Sequence, residues 1–215
     1  MEQFIFNKNF SYRHFTTTKT AGNMKDKNIR NNFLISLNLN PVKLVLANQT
    51  HGNNITIVGA SDQNTFIDNC DGLITADKNT MIGIFTADCV PLLVACRKDQ
   101  VKAAIHAGWK GLCGDIIENT FDILKKDFSV DFNEVQVYIG PHIRSCCYEV
   151  NCEAGLRFNV KLKDNKLDLS EIVCKKLEKL GIDNIFDIKR CTFHEKDLFF
   201  SYRYNRCDER IISII

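Results

Sequence analysis

Ile82-Gly-Ile-Phe-Thr-Ala-Asp-Cys-Val-Pro-Leu-Leu-Val-Ala-Cys96, with Val101-Lys-Ala-Ala-Ile-His106 close behind it, decides the fold class. Three short apolar runs (82–86, 92–96 and 101–106) follow one another, bounded by Asp, Pro and charged residues. None is long enough for a good helix, and each reads as a strand. Consecutive strands with no helix between them favour a mixed sheet, or two packed sheets, over a strict βαβ repeat. Further strand-like runs lie at 43–47, 55–58, 72–75 and 134–139, then at 185–189, 198–202 and 210–214. Three helices are expected. In 25–39, Ile29, Phe33 and Leu37 share a face and Pro41 stops the run; Asp115 caps 115–125. The third, 168–181, opens with Asp168 and Glu171 and ends at Gly181. The expectation is a single α/β (α+β) domain over residues 1–215, with one mixed sheet or two packed sheets flanked by helices.

Composition narrows the function classes. Forty-five per cent of the 215 residues are hydrophobic, which excludes a disordered chain. Twenty-eight basic residues against 26 acidic ones give a net charge of +2, so no nucleic-acid partner is expected. The amino terminus lacks a basic and then apolar signal pattern, and no apolar run approaches the ~20 residues of a membrane span. A cytoplasmic protein without membrane contact is expected, a monomer with a homodimer as the alternative. Ten cysteines are many, yet the chain is neither short nor patterned as a secreted disulfide scaffold. Most therefore read as small buried hydrophobes, leaving one or two for chemistry.

His51, Cys89 and His106 each stand at the downstream end of an expected strand, beside a turn-forming Gly or Pro. Parallel strands would bring them to one rim of a sheet. Two imidazoles and a thiolate can hold zinc with a fourth position open, although separations of 38 and 17 residues are not diagnostic. The same atoms fit a metal-free nucleophile, Cys89 activated by either histidine with Asp71 or Asp88 orienting the base. Spacing does not separate the two. Arg144 offers a fork for phosphate or carboxylate and Glu149 a proton carrier, or else the two pair with each other. His142 reads as a surface or supporting group. Trp109, the only tryptophan, can stack on a planar ring or anchor the core. Arg203 by default is solvated, as are Lys175, Lys176 and Lys179.

Gln49-Thr-His-Gly-Asn53, Cys70-Asp-Gly-Leu-Ile-Thr75, Thr86-Ala-Asp-Cys-Val-Pro-Leu92, His106-Ala-Gly-Trp-Lys-Gly111, Ile139-Gly-Pro through Cys147-Tyr-Glu-Val150, and Phe200-Ser-Tyr-Arg203 occur in this order. Together they resemble the YfiH-like family, also called the polyphenol oxidase or laccase-domain family. The resemblance covers roughly residues 44–204. It implies a single-domain layered sandwich of mixed β-sheets flanked by helices, with zinc on His51, Cys89 and His106; the sequence does not separate zinc from copper. It also implies phosphorolysis of adenosine or inosine by inorganic phosphate, giving free base and ribose 1-phosphate, with cleavage of methylthioadenosine and deamination of adenosine beside it. Lys110, Arg144 and Arg203 are then candidate phosphate holders, Trp109 a substrate contact, and Asp88, Asp71 and Glu149 candidate proton carriers. Lys110 stands where the family usually has Arg, which loses a bidentate fork. Phe15-Thr-Thr-Thr-Lys-Thr-Ala-Gly22 matches the family's amino-terminal segment only loosely. Five histidines do not supply a trinuclear cluster plus a separate copper centre, so laccase chemistry is rejected on ligand count. Two other classes stay open: a Cys–His hydrolase acting on an amide such as a peptidoglycan precursor, and a non-catalytic zinc or nucleotide-binding module.

Overall fold

The computed structural model describes every residue except Met1, Arg97, Asp99 and Lys161, and only the backbone of residues 152–154. Twelve strands are seen among them: β1 (Phe4–Ile5), β2 (Phe15–Thr17), β3 (Leu44–Asn48), β4 (Ile55–Ile57), β5 (Phe66–Asp68), β6 (Gly72–Thr75), β7 (Met81–Thr86), β8 (Val90–Cys96), β9 (Val101–Ala107), β10 (Val135–Ile139), β11 (Ile185–Asp187) and β12 (Ile211–Ile214). Six helices accompany them: α1 (Lys27–Ser36), α2 (Trp109–Cys113), α3 (Ile116–Phe128), α4 (Cys152–Arg157), α5 (Leu169–Lys179) and α6 (Tyr202–Asn205).

The strands form two six-stranded mixed sheets, ordered β1-β2-β12-β7-β3-β5 and β11-β10-β8-β9-β6-β4. Alternation along the strands assigns side chains to layers. In β3, Val45 and Ala47 join Ile82 and Ile84 of β7 against Leu73, Leu93, Ala95 and Ala104 of the second sheet. Leu44 and Leu46 point the other way, onto Phe33 and Leu34 of α1. In β8, Leu92, Val94 and Cys96 pack on Phe121 and Leu124 of α3 and Val173 and Leu177 of α5. The central strands are thus covered on both faces, which is why they read as unbroken apolar runs. Each fully buried Leu or Ile in these layers contributes about 1.5–3 kcal/mol relative to exposure. The result is the single-domain sandwich of mixed sheets between helices that was expected. Among the described residues, no helix is long and apolar enough to cross a membrane.

Several expectations need correction. Residues 198–202 form no strand. Phe199 and Phe200 are both buried beside Ile5, Ala87 and Ile211, whereas a strand would turn them to opposite faces. The chain then enters α6, capped by the Ser201 hydroxyl, which accepts from the Tyr204 N–H. Helix α1 is shorter than 25–39 because Asp26 caps it, accepting from the N–H groups of Asn28 and Ile29. Its buried side is Arg30, Phe33 and Leu34, and Ile29 is exposed. Asp115 makes no side-chain cap on α3. Its carboxylate instead pairs with Lys176 at 2.8 Å, and Glu118 joins the same ammonium at 2.6 Å. Lys176 is therefore not part of a solvated face. Of the nine described cysteines only Cys70, Cys96 and Cys191 are buried, fewer than their apolar character led one to expect.

Candidate metal centre

Register in the second sheet begins the site. Gly72 of β6 pairs with Ile105 of β9, and Pro91 of β8 pairs with His106. Asp71, His106 and Cys89 therefore lie side by side at one edge of three strands. In the first sheet β3 and β7 run parallel, so the loop after β3 and the crossing from β7 to β8 leave at the same rim. The first carries His51 and the second carries Cys89. The three groups meet, but not as parallel strand ends of one sheet. His106 lies inside β9, antiparallel to β8, and the sulfur sits where the chain passes between sheets.

Asp71 organises the cluster. It is fully buried, and its carboxylate accepts from His106 Nδ1 at 2.7 Å and from the N–H groups of Thr50, His51 and Gly52 at 3.0, 2.9 and 2.8 Å. The Thr50 hydroxyl adds a further bond at 3.1 Å. Burial opposes its ionisation, but the His106 and backbone donors win and hold the carboxyl at about 2. Because the carboxylate only accepts, Nδ1 of His106 carries the proton and Nε2 is left to ligate. His51 itself has φ +61°, in the left-handed region.

The ligating atoms of His51, Cys89 and His106 lie within 4.8 Å of one another, and the imidazole centroids are 4.8 Å apart at 82°. A tetrahedral ion with bonds of about 2.0–2.3 Å separates its ligands by roughly 3.3–3.6 Å, so small side-chain shifts close the set. Gly108 leaves the room: a Cβ there would stand 3.1 Å from the Cys89 sulfur and 3.5 Å from the His51 ring. Gly111 lets α2 come close, since a Cβ would lie 2.7 Å from the Gly52 carbonyl oxygen. Burial penalises the Cys89 thiolate, yet the charge and hydrogen bonds of His106 and His51 bring its pKa down to about 6. Burial likewise opposes charge on His106, and Cys89 and Asp71 outweigh it, raising its pKa to about 9. This electron-rich set of two imidazole nitrogens and one sulfur fits zinc or copper, and it equally describes a thiolate beside an imidazolium.

All three groups open into a cavity of about 810 Å³. One part of its wall is aromatic, with Trp109, Tyr148 and the stacked Phe66 and Phe85, whose centroids are 6.4 Å apart. Another part is basic, with Lys25, Arg203, Arg206 and Arg210. Asp88 is the one carboxylate among the lining residues. It sits at φ +94°, a conformation that a side chain rarely adopts, and is gripped from both sides. Thr192 Oγ1 donates to Oδ1 at 2.7 Å, and the Arg203 N–H donates to Oδ2 at 2.6 Å.

Trp109, Arg203 and Asp88 thus stand in the cavity wall, while four other expected contacts do not. Lys110 is exposed, its ammonium 5.9 Å from the Trp109 ring. Arg144 turns away and grips the Asp187 carboxylate at 2.8 and 2.9 Å rather than pairing with Glu149. Glu149 is exposed, and its carbonyl rather than its carboxylate serves the site, accepting from Arg203 at 2.7 Å. Asp71 lies behind His106 and, ionised at neutral pH, has no proton to give. His142 is not on the surface; it is fully buried, with Nδ1 bonded to the Gly140 carbonyl. Sequence reasoning missed Lys25, Arg206 and Arg210. The run Arg203, Arg206, Arg210 was visible as three cations within eight residues, but a strand expected over 198–202 hid their common direction.

A family model described as multi-copper polyphenol oxidoreductase laccase matches residues 7–215. The chain belongs to this family. It is 33% identical over 178 residues to the purine nucleoside phosphorylase Cj1217c of Campylobacter jejuni, covering 80% of this chain and 76% of that protein. With the purine nucleoside phosphorylase CA_C1699 of Clostridium acetobutylicum it shares 39% over 142 residues, 62% of this chain and 60% of the relative's length. The crystal structure of the Bacillus licheniformis hypothetical protein YfiH superposes with a TM-score of 0.88 at 26% identity, covering 94% and 91% of the two chains. YlmD from Geobacillus stearothermophilus has the same fold, with a TM-score of 0.91 at 24% identity and coverage of 100% and 98%.

Proposed function

We propose that this protein is a zinc-dependent purine nucleoside phosphorylase, cleaving adenosine, inosine or methylthioadenosine with inorganic phosphate and deaminating adenosine as a side activity. What carries the reading is a His51–Cys89–His106 set opening into a cavity whose wall is partly aromatic and partly basic. The names of the relatives in Campylobacter and Clostridium support it. His51, Cys89 and His106 would hold the ion, which when bound supplies Lewis-acid polarisation and ready deprotonation of water near neutral pH. Copper has the same ligands available, but five histidines do not build a multicopper oxidase.

The chain's own groups divide the remaining work. Trp109 and Tyr148 offer flat apolar surface to a purine. Arg203 lies 5.1 Å over the Tyr148 ring, where cation–π attraction and the Glu149 carbonyl fix it. With Arg206 and Arg210 it would hold phosphate near the ribose C1′. As the glycosidic bond breaks, the purine takes up the proton that the attacking hydrogen phosphate gives up, and Asp88 is the lining carboxylate placed to relay it. Asp71 is a positioning residue that fixes the His106 tautomer and the His51 loop. Cytoplasmic location and a monomeric or homodimeric state belong to the same proposal.

A second reading rests on the Asp71–His106–Cys89 relay, which without metal is the arrangement of a thiol hydrolase. Chromatography of inosine reactions separates the two. Hypoxanthine should form with phosphate present, stop without it, and stop after chelation. Amide hydrolysis that survives chelation and dies on alkylation of Cys89 would select the hydrolase instead. If nucleoside raises the melting temperature and nothing is turned over, neither reading stands and a binding module remains.

A further inference from the structure

A second group of soft ligands lies outside the cavity. Cys146 Sγ is 3.4 Å from Cys147 Sγ and 3.8 Å from Cys191 Sγ, and the three sulfurs fall within 4.8 Å of one another. Among the described residues, no imidazole or carboxylate joins the set. We propose that Cys146, Cys147 and Cys191 form a three-thiolate site for a single soft metal ion, Cu(I) being the best fit. This assignment does not depend on the reaction proposed above.

The chemistry follows from the donor set. Sulfur-only ligation selects soft ions, and three sulfurs with no fourth side-chain donor among the described residues suit a trigonal monovalent ion better than tetrahedral zinc. Hydrogen-bond donors reach the cluster. The N–H groups of Arg144 and His194 both donate to Cys191 Sγ at 3.5 Å, and the Lys166 ammonium donates to the Cys146 carbonyl at 3.0 Å. On binding, the cation replaces the three thiol protons, which pass to solvent. Cys146 is exposed, so an ion has a way in, and Cys191 is buried, so the site has a floor.

Occupancy would reach the active cavity through the chain. Cys147 precedes Tyr148, a wall residue, and Cys191 precedes Thr192, which holds Asp88. The ion would clasp the 144–149 turn to the 190–195 loop.

The test uses the full chain carrying Cys89→Ala, so that the first site does not contribute. Reduced protein competes anaerobically for Cu(I) against a chromophoric chelator. One equivalent should bind, with three sulfur scatterers at the copper X-ray edge. Adding Cys146→Ser, at an exposed position, should weaken binding by about 100-fold or more, since even a supporting partner is worth about 10–100-fold. Cys147→Ser should do the same, with the far-ultraviolet circular dichroism of both variants unchanged. Failure to take Cu(I) from the chelator, or unchanged affinity in both serine variants, would overturn the proposal. So would a Cys146–Cys191 disulfide in protein kept reduced.

Discussion

At the end of the cavity that holds His51, Cys89 and His106, strand register sets the ligands and a buried carboxylate ties them down. At the basic end, Arg203, Arg206 and Arg210 hang on one turn of helix and an irregular segment, and Arg206 itself is a left-handed cap at φ +56°. The first end is rigid because its geometry is that of the sheets, whose paired strands leave little freedom. The second is held by a few polar links, chiefly Thr192 and the Arg203 N–H on Asp88, and Arg203 on the Glu149 carbonyl. One end is therefore fixed by the sheets and the other by a few side-chain links.

The largest effect belongs to the rigid end. Cys89→Ala should lose zinc and reduce phosphorolysis to background; zinc retained at the wild-type stoichiometry would break the ligand assignment. Asp71→Asn keeps the shape but not the charge that its donors, His106 among them, require. It should cost about 3–5 kcal/mol of stability, read by denaturant melts, and about 10–100-fold in zinc affinity. A variant as stable as the parent would show that the carboxylate does not organise this end.

Acid should loosen the other end first. His142 lies under the segment that carries Thr192, and its carbonyl accepts the Thr192 N–H at 3.1 Å. Burial is the main cause that lowers its pKa, from 6.5 to about 4. Between those values the unfolded chain binds the proton that the folded chain refuses. Stability is thus complete above pH 6.5 and falls as the pH drops towards 4, by about 3 kcal/mol at most. Melting temperature against pH should show this slope in the parent and lose it in His142→Gln; a slope kept by the variant would assign it elsewhere. The smallest effect is expected at the basic wall. Arg206→Ala should raise the KM for phosphate about tenfold, one charge-assisted bond of about 1.5 kcal/mol, with kcat kept. An equal loss in kcat would place Arg206 in the transition state instead.

The same contrast explains what could be read from sequence. Runs such as 92–96 and 101–106 announce doubly covered strands; His106 lies within the second, while His51 and Cys89 lie in the turns that follow β3 and β7. Lys25, Arg206 and Arg210 follow no period, and the two arginines come after a segment in which Phe199 and Phe200 are buried together rather than alternately. Arg144 and Glu149 are close in sequence, but Asp187, distant along the chain, captures the guanidinium. Pairings of that kind are tertiary and leave no local mark. Asp115 failed as a cap for the same reason, since Lys176 of α5 takes its carboxylate.

X-ray absorption at the zinc edge, on protein purified with stoichiometric zinc, tests the central claim most directly. A shell of two imidazole nitrogens, one sulfur and one further light atom is predicted, with the sulfur lost in Cys89→Ser. A sulfur-only shell, or the same sulfur present in that variant, would contradict it.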